Sequence, residues 1–175
     1  MSNKKPKRLH ELVQLIVACE TYIIHDGKVL MHKRAEDKKK FPGFWIGPGG
    51  HVDEGEDVLT TAIREVKEEA GVDIYPQDIK LKVLAFHNHI DRNEVWMEYL
   101  FRATIPSRQK VVSNHEGESK WIPLQELIKM DKVFPPSKYY FNHILNDNPG
   151  ILYNSSQWKN SHLVKVMSER IDSDF

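Results

Sequence analysis

The sequence predicts an α/β (α+β) domain, a mixed β-sheet with helices packed against it. Three observations carry this. Apolar, β-branched runs interleave with helix-period segments, an Asp-Gly hairpin signal stands near the start, and one amphipathic segment ends on a glycine. A chain of 175 residues suits a single domain with one core. Residues 1–12 read as a basic, flexible tail and 13–175 as that domain.

Residues 13–24 (VQLIVACETYII) form an extended apolar run, followed by Asp26-Gly27 and a second run from Val29 to Arg34. Together they predict a hairpin. A basic loop, 35–44, closes on Pro42-Gly43, and Gly47-Pro48-Gly49-Gly50 demands a tight turn. Residues 57–70 predict a helix whose core stripe is Val58, Ala62 and Val66, with Gly71 as its C-terminal cap. Strands are expected at Leu81–Phe86 and Glu94–Ile105 across a polar turn, Asn88 to Asn93. Trp121-Ile122 suggests another strand, 123–130 a short helix, and Pro135 to Leu145 a helix opened by proline. Ile151–Tyr153 and Leu163–Met167 give a weaker hairpin signal.

Composition excludes several classes. No apolar run reaches the roughly 18 residues of a spanning helix, and MSNKKPKRLH lacks the apolar core of a secretory signal. A lone cysteine, Cys19, excludes an internal disulfide framework and a cysteine zinc cluster, and reads as core. A cytoplasmic setting is expected. Lys plus Arg equals Asp plus Glu at 25 each, so whole-chain charge argues for neither nucleic acid nor membrane. The balance is local: residues 1–40 carry ten bases and five acids, residues 50–72 seven acids and two bases.

The acidic block has a spacing. At about 100° per residue, Glu65, Glu68 and Glu69 share one helical arc beside the apolar stripe. Like charges at i, i+3 and i+4 repel by a few tenths of a kcal/mol per pair, so a cation is expected among them. An all-oxygen set suits a hard divalent ion such as Mg²⁺ and not zinc.

Reading on from Gly50, five residues lead to Glu56 and seven more to Arg64-Glu65-Val66-Lys67-Glu68-Glu69-Ala70-Gly71-Val72. This resembles the Nudix box, G-x5-E-x7-R-E-U-x-E-E-x-G-U with U aliphatic, at every defined position. The resemblance extends loosely over residues 13 to 146 and implies a Nudix-type α/β/α sandwich. Members of the family hydrolyse a nucleoside diphosphate linked to a further moiety, using Mg²⁺ with Mn²⁺ as a substitute.

By motif position the resemblance makes Glu65, Glu68 and Glu69 metal ligands, joined by the Gly49 carbonyl. Arg64 and Glu56 would brace the helix and orient Glu65. Glu65 is the first choice for the base that takes a proton from water. Glu116 is the second candidate, as base or further metal ligand, with Glu118 the neighbouring alternative. Gly50 lets backbone approach the phosphates, which a Cβ would hinder. Arg34, at the end of the second strand, matches a phosphate-contacting arginine of MutT-type enzymes, and a guanidinium suits phosphate.

The segment KWIPLQELIKMDKVFPPSKYYFNHIL resembles the base-recognition region of MutT-type and oxidised-purine triphosphatases. Phe134, Ser137 and Lys138 are its expected substrate contacts. The polar readers of those relatives fall on Pro136, Ser137 and Lys138, however, and base discrimination needs matched donors and acceptors. The expected function is Mg²⁺-dependent cleavage of a nucleoside triphosphate, such as 8-oxo-dGTP, to monophosphate and pyrophosphate. The alternatives are another nucleoside diphosphate derivative (dinucleoside polyphosphate, nucleotide sugar or RNA 5′ end) and a non-catalytic nucleotide sensor. The partner is a small nucleotide; membrane and nucleic acid are not expected, and homodimerisation stays open. His87 and His89 share a strand face with a polar role expected, and Trp96, Trp121 and Trp158 read as packing residues.

Overall fold

A computed structural model describes residues 13–171; the basic tail at 1–12 lies outside the described residues. β1 (Gln14–His25) turns at Asp26-Gly27 into β2 (Lys28–Arg34). Both turn residues have positive φ, 46° and 68°, the twist a two-residue hairpin requires. β3 (Trp45–Ile46) and β4 (Gly49–His51) flank the glycine turn and lead to α1 (Val58–Ala70). β5 (Ile79–His89) and β6 (Glu94–Thr104) form a long antiparallel pair, followed by β7 (Gly117–Pro123) and the short α2 (Leu124–Leu127). α3 (Phe141–Leu145), β8 (Ile151–Lys159) and β9 (His162–Ile171) complete the described chain.

One mixed sheet runs β3-β2-β1-β6-β5-β8-β9, with β4 added to β1 and β7 to β2. β1 pairs parallel with β6, and β5 with β8; the other pairs are antiparallel. Side chains of β1 and β2 alternate between two cores. Ile23 and Leu30 meet Val66 and Ala70 of α1, whereas Tyr22, Ile24, Val29 and Met31 meet Leu127, Phe141 and Ile144 of α2 and α3. The sheet is thus covered on both faces, as an α/β/α sandwich requires. Each fully buried Val or Ile of this kind contributes about 1.5–3 kcal/mol.

One expected element needs correcting and another extends beyond its expected bounds. The helix expected over 135–145 is broken: Pro135–Tyr139 form a 3₁₀ turn, and Tyr140 has φ −126° before α3 begins. Tyr140 and Phe141 are both buried on the α2–α3 side, and the kink lets both rings enter the core. The weakly signalled C-terminal hairpin is present and longer than expected. β8 and β9 pair along nearly their whole length around Asn160-Ser161, which take positive φ without glycine. The inward row of β8 is Asn154, Ser156 and Trp158, so apolar alternation marked only its first residues.

Candidate active site

Local chain chemistry builds the acidic helix. The Asp57 carboxylate accepts from the amides of Leu59 and Thr60 and caps α1, while Gly71 ends it at φ 71°. The three glutamates beyond the cap are graded in depth. Glu68 is exposed, Glu65 is half-buried, and Glu69 is only 4% exposed, on the buried stripe rather than beside it.

Arg64 is the hub. Its Nε donates to Glu56 Oε1 at 2.9 Å, Nη2 to Glu56 Oε2 at 3.0 Å, and Nη1 to Glu65 Oε1 at 2.9 Å and Glu68 Oε2 at 3.2 Å. Nη2 also reaches the His51 carbonyl at 3.3 Å, tying the helix to β4. Arg64 and the Thr61 hydroxyl hold the Glu56 carboxyl below its ordinary range, and Glu56 in turn raises Arg64.

Gly49 and Gly50 bring backbone against this cluster. The Gly49 amide donates to Glu69 Oε2 at 2.9 Å. A Cβ at Gly49 would stand 2.0 Å from the Cys19 carbonyl oxygen, and one at Gly50 would stand 2.2 Å from Glu65 Oε1. Burial pushes the Glu69 carboxyl up to about 8, against the Gly49 amide, with Glu65 and Glu116 adding to the rise. Burial also raises Glu65, against the pull of Arg64. Behind Glu69, Ser119 Oγ donates to its carbonyl at 2.8 Å, and His32 Nδ1 lies 2.9 Å from the same Oγ. His32 Nε2 stands 3.6 Å from Glu69 Oε1, and burial holds His32 below its ordinary value.

Among the described residues no three His, Cys, Asp or Glu side chains form a closed metal cage. The carboxylates turn to Arg64 and Gly49 instead. The donor chemistry nevertheless fits a hard divalent cation. Every available group is oxygen, the glycine pair leaves a cradle that Cβ atoms would fill, and the carboxyls of Glu65 and Glu69 are both raised, chiefly by burial and then by neighbouring glutamates.

A cavity of about 630 Å³ opens beside the cluster, within the usual range for a small-molecule site. Gly49, Gly50 and Arg34 line it, and Arg34 Nε donates to the Lys40 carbonyl at 3.0 Å. Its walls include Phe41, Phe44, Trp96, Phe134 and Trp158, and its buried polar lining includes Glu20, His87 and Glu98. The Tyr22 hydroxyl donates to Glu20 at 2.6 Å; burial and then Glu98 push the Glu20 carboxyl up to about 8. Lys40 Nζ sits 4.3 Å from the Trp96 ring centroid, a cation–π contact.

The structure brings some expected residues together and separates others. Phe134 lines the cavity. Ser137 does not: it is fully buried, with its hydroxyl 3.2 Å from that of Tyr140. Lys138 lines a separate hollow between α2 and α3. Glu116 accepts from Lys38 at 3.2 Å, and its charge still reaches Glu65 and Glu69. Glu118 pairs with Lys120 at 2.6 Å. Cys19 is core as expected, its thiol pushed up to about 12 by burial. Sequence reasoning missed His32 and Ser119 behind Glu69, and Glu20 and Glu98 in the cavity. Their signal was faint: polar residues at inward positions of otherwise apolar strands.

Comparison with known proteins bears on the family and the fold. Residues 18–143 match the family model of the NUDIX domain. A protein of Escherichia fergusonii, named nucleoside triphosphatase NudI, is 29% identical over 119 residues, covering 62% of this chain and 82% of its own. The MutT protein of Bacillus halodurans superposes with a TM-score of 0.75 at 22% identity, over 88% of this chain and 97% of that one. A Francisella tularensis structure, titled bifunctional NMN adenylyltransferase/ADP ribose pyrophosphatase with AMP and a Mn ion, gives 0.59 at 19% identity. It covers 77% of this chain and 42% of that one.

Proposed function

The chain belongs to the NUDIX domain family and is a hydrolase of phosphoric anhydride bonds, and from that premise we propose that it cleaves a nucleoside triphosphate to monophosphate and pyrophosphate with Mg²⁺. The observation that carries this reading is a continuity. Gly49 and Gly50, which touch the carboxylate cluster, and Phe134 and Trp158, which suit a flat base, line one cavity. The likeness to a protein named nucleoside triphosphatase supports the same substrate class.

In this reading Glu65, Glu68, Glu69 and the Gly49 carbonyl hold the divalent ion, and Mn²⁺ substitutes for it. When bound, such an ion polarises a phosphoryl oxygen and lowers the pKa of water at the site. The chain's own groups supply the rest. Arg34 binds the phosphates through its guanidinium, whose fork matches two phosphoryl oxygens. Arg64 holds the Glu65 carboxylate in place, and Glu65 takes the proton from the attacking water while the pyrophosphate leaves. Glu56 fixes Arg64 through three hydrogen bonds. The aromatic walls exclude water from the base.

A second reading keeps the chemistry and changes the leaving group to that of another nucleoside diphosphate derivative. Ser137 and Lys138 favour it, since neither lines the cavity and the expected readers of an oxidised purine are absent from it. One experiment separates the two: incubation with triphosphates, oxidised triphosphates, dinucleoside polyphosphates and nucleotide sugars plus Mg²⁺, with products resolved by chromatography. Pyrophosphate release from a triphosphate is the expected result. Cleavage of other compounds alone transfers the site to the second reading, and no cleavage of any overturns both.

A further inference from the structure

Resting on the reading that the cavity holds a nucleotide, we propose that His87 and Glu98 are its base-reading pair, a hydrogen-bond donor and an acceptor that select the edge of the nucleobase. Both residues are more than nine-tenths buried, and both line the cavity that contains Gly49 and Gly50. His87 Nε2 and Glu98 Oε2 lie 3.3 Å apart, yet neither atom has a hydrogen-bond partner among the described residues. Two adjacent unsatisfied polar atoms at this depth are costly without a ligand.

The sheet places them side by side. β5 and β6 are antiparallel with His87 opposite Trp96 and Ala85 opposite Glu98, so His87 and Glu98 are diagonal neighbours on one face. A third strand sets the proton on the imidazole. Trp158 Nε1, which can only donate, gives its hydrogen to Ser156 Oγ at 2.8 Å. The hydroxyl proton of Ser156 is then free to go to His87 Nδ1, 2.6 Å away. That leaves Nε2 carrying hydrogen, a donor beside the Glu98 acceptor. Phe134, whose ring meets the His87 ring edge-on at 6.1 Å, and Trp158 supply flat apolar walls next to the pair.

A donor beside an acceptor matches the Watson–Crick edge of a base in one orientation. Whichever edge docks, the atom facing Glu98 must carry hydrogen. Cytosine and uracil exchange donor for acceptor at two edge positions, as do adenine and hypoxanthine, so each pair is a direct test. A site that hydrogen-bonds one member rejects the other through unpaired or repelling groups.

The experiment measures binding of CMP, UMP, AMP, IMP and ribose 5-phosphate to the full chain by tryptophan fluorescence, since Trp158 and Trp96 line the cavity. The wild-type protein is expected to bind one member of a pair at least about 10-fold tighter than the other and tighter than ribose 5-phosphate. Glu98→Gln turns an acceptor into a group that also donates, and is expected to narrow that ratio about 10-fold or more. Ser156→Ala, which frees the His87 tautomer, is expected to narrow it as well and serves if the first variant unfolds. Unchanged ratios in a folded variant overturn the assignment, as does a wild-type protein that binds no monophosphate better than ribose 5-phosphate. Binding is read without turnover, so failure of the triphosphatase reading appears in the product panel and failure of the base-reading pair appears here.

Discussion

The Gly49 amide donates to the buried Glu69 carboxylate across 2.9 Å, and the same glycine is packed against the carbonyl of Cys19 in β1. Strand, turn and helix are locked together at one residue without a side chain.

Gly49→Ala follows directly. The new Cβ would fall 2.0 Å from the Cys19 carbonyl oxygen, a backbone atom that cannot step aside. β4 must shift, and the Glu69 hydrogen bond shifts with it. The expected cost is about 1–3 kcal/mol, as for other overpacked sites, with loss of hydrolysis beyond what the lower stability explains. Urea denaturation and turnover on the same preparation check it. Full activity at unchanged stability would contradict the packing.

Arg64→Lys tests the hub. Five hydrogen bonds from one guanidinium reach Glu56, Glu65 and Glu68. A lysine ammonium is a single charged point and cannot span them. Glu65 would lose its fixed position, and misplacement on the scale of an ångström costs about 10²-fold in rate. The expectation is a fall in kcat near that size with a modest change in KM. A fall confined to KM would instead move Arg64 into substrate binding.

How far the sequence foretold this site depends on which forces set each position. α1 was legible to within one residue because Asp57 and Gly71 satisfy local backbone groups, and the first hairpin because Asp26-Gly27 fixes its own twist. β8 and β9 were legible only as a weak and shorter hairpin, since their inward row is polar and made buriable by distant partners: Asn154 by Ser168, and Ser156 by His87 and Trp158. The same limit hid His87, expected on a polar face and found at 2% exposure. Spacing placed Glu65, Glu68 and Glu69 on one arc, but their depth comes from the sheet beneath, which α1 alone cannot reveal.

Asp147 carries a pH prediction away from the site. Lys82 is buried, and its Nζ donates to Asp147 Oδ1 at 3.1 Å and to the Asn148 carbonyl, while Lys80 reaches Oδ2 at 3.2 Å. Burial alone would raise Asp147, but the two lysines and Arg102 carry it below its ordinary value. A depressed carboxyl binds fewer protons folded than unfolded, so its contribution is complete above the ordinary aspartate range and is lost as pH falls through the folded value. Asp147→Asn should cost about 1–3 kcal/mol near neutrality, reduced from the buried-pair figure because Asp147 is partly exposed. Denaturation at pH 7 and pH 3 should show that cost shrinking in acid. An equal cost at both would rule out the charge as its source.

The choice of base can be argued from the surroundings of its two candidates. Glu65 is half-buried, held at one oxygen by Arg64, and raised by burial toward the range where a carboxylate accepts a proton readily. Glu116 sits in the loop before β7 with its carboxylate engaged by the Lys38 ammonium at 3.2 Å, so it must leave that partner before it can meet a water. Its charge acts instead on Glu65 and Glu69, where it opposes their ionisation. Glu65→Gln should therefore lower kcat by about 10²-fold or more. Glu116→Gln should lower it by less than about 10-fold and leave the acid limb of the pH–rate profile in place. If the Glu116 variant loses that limb while the Glu65 variant keeps it, the base is Glu116 and the Lys38 contact must open during turnover.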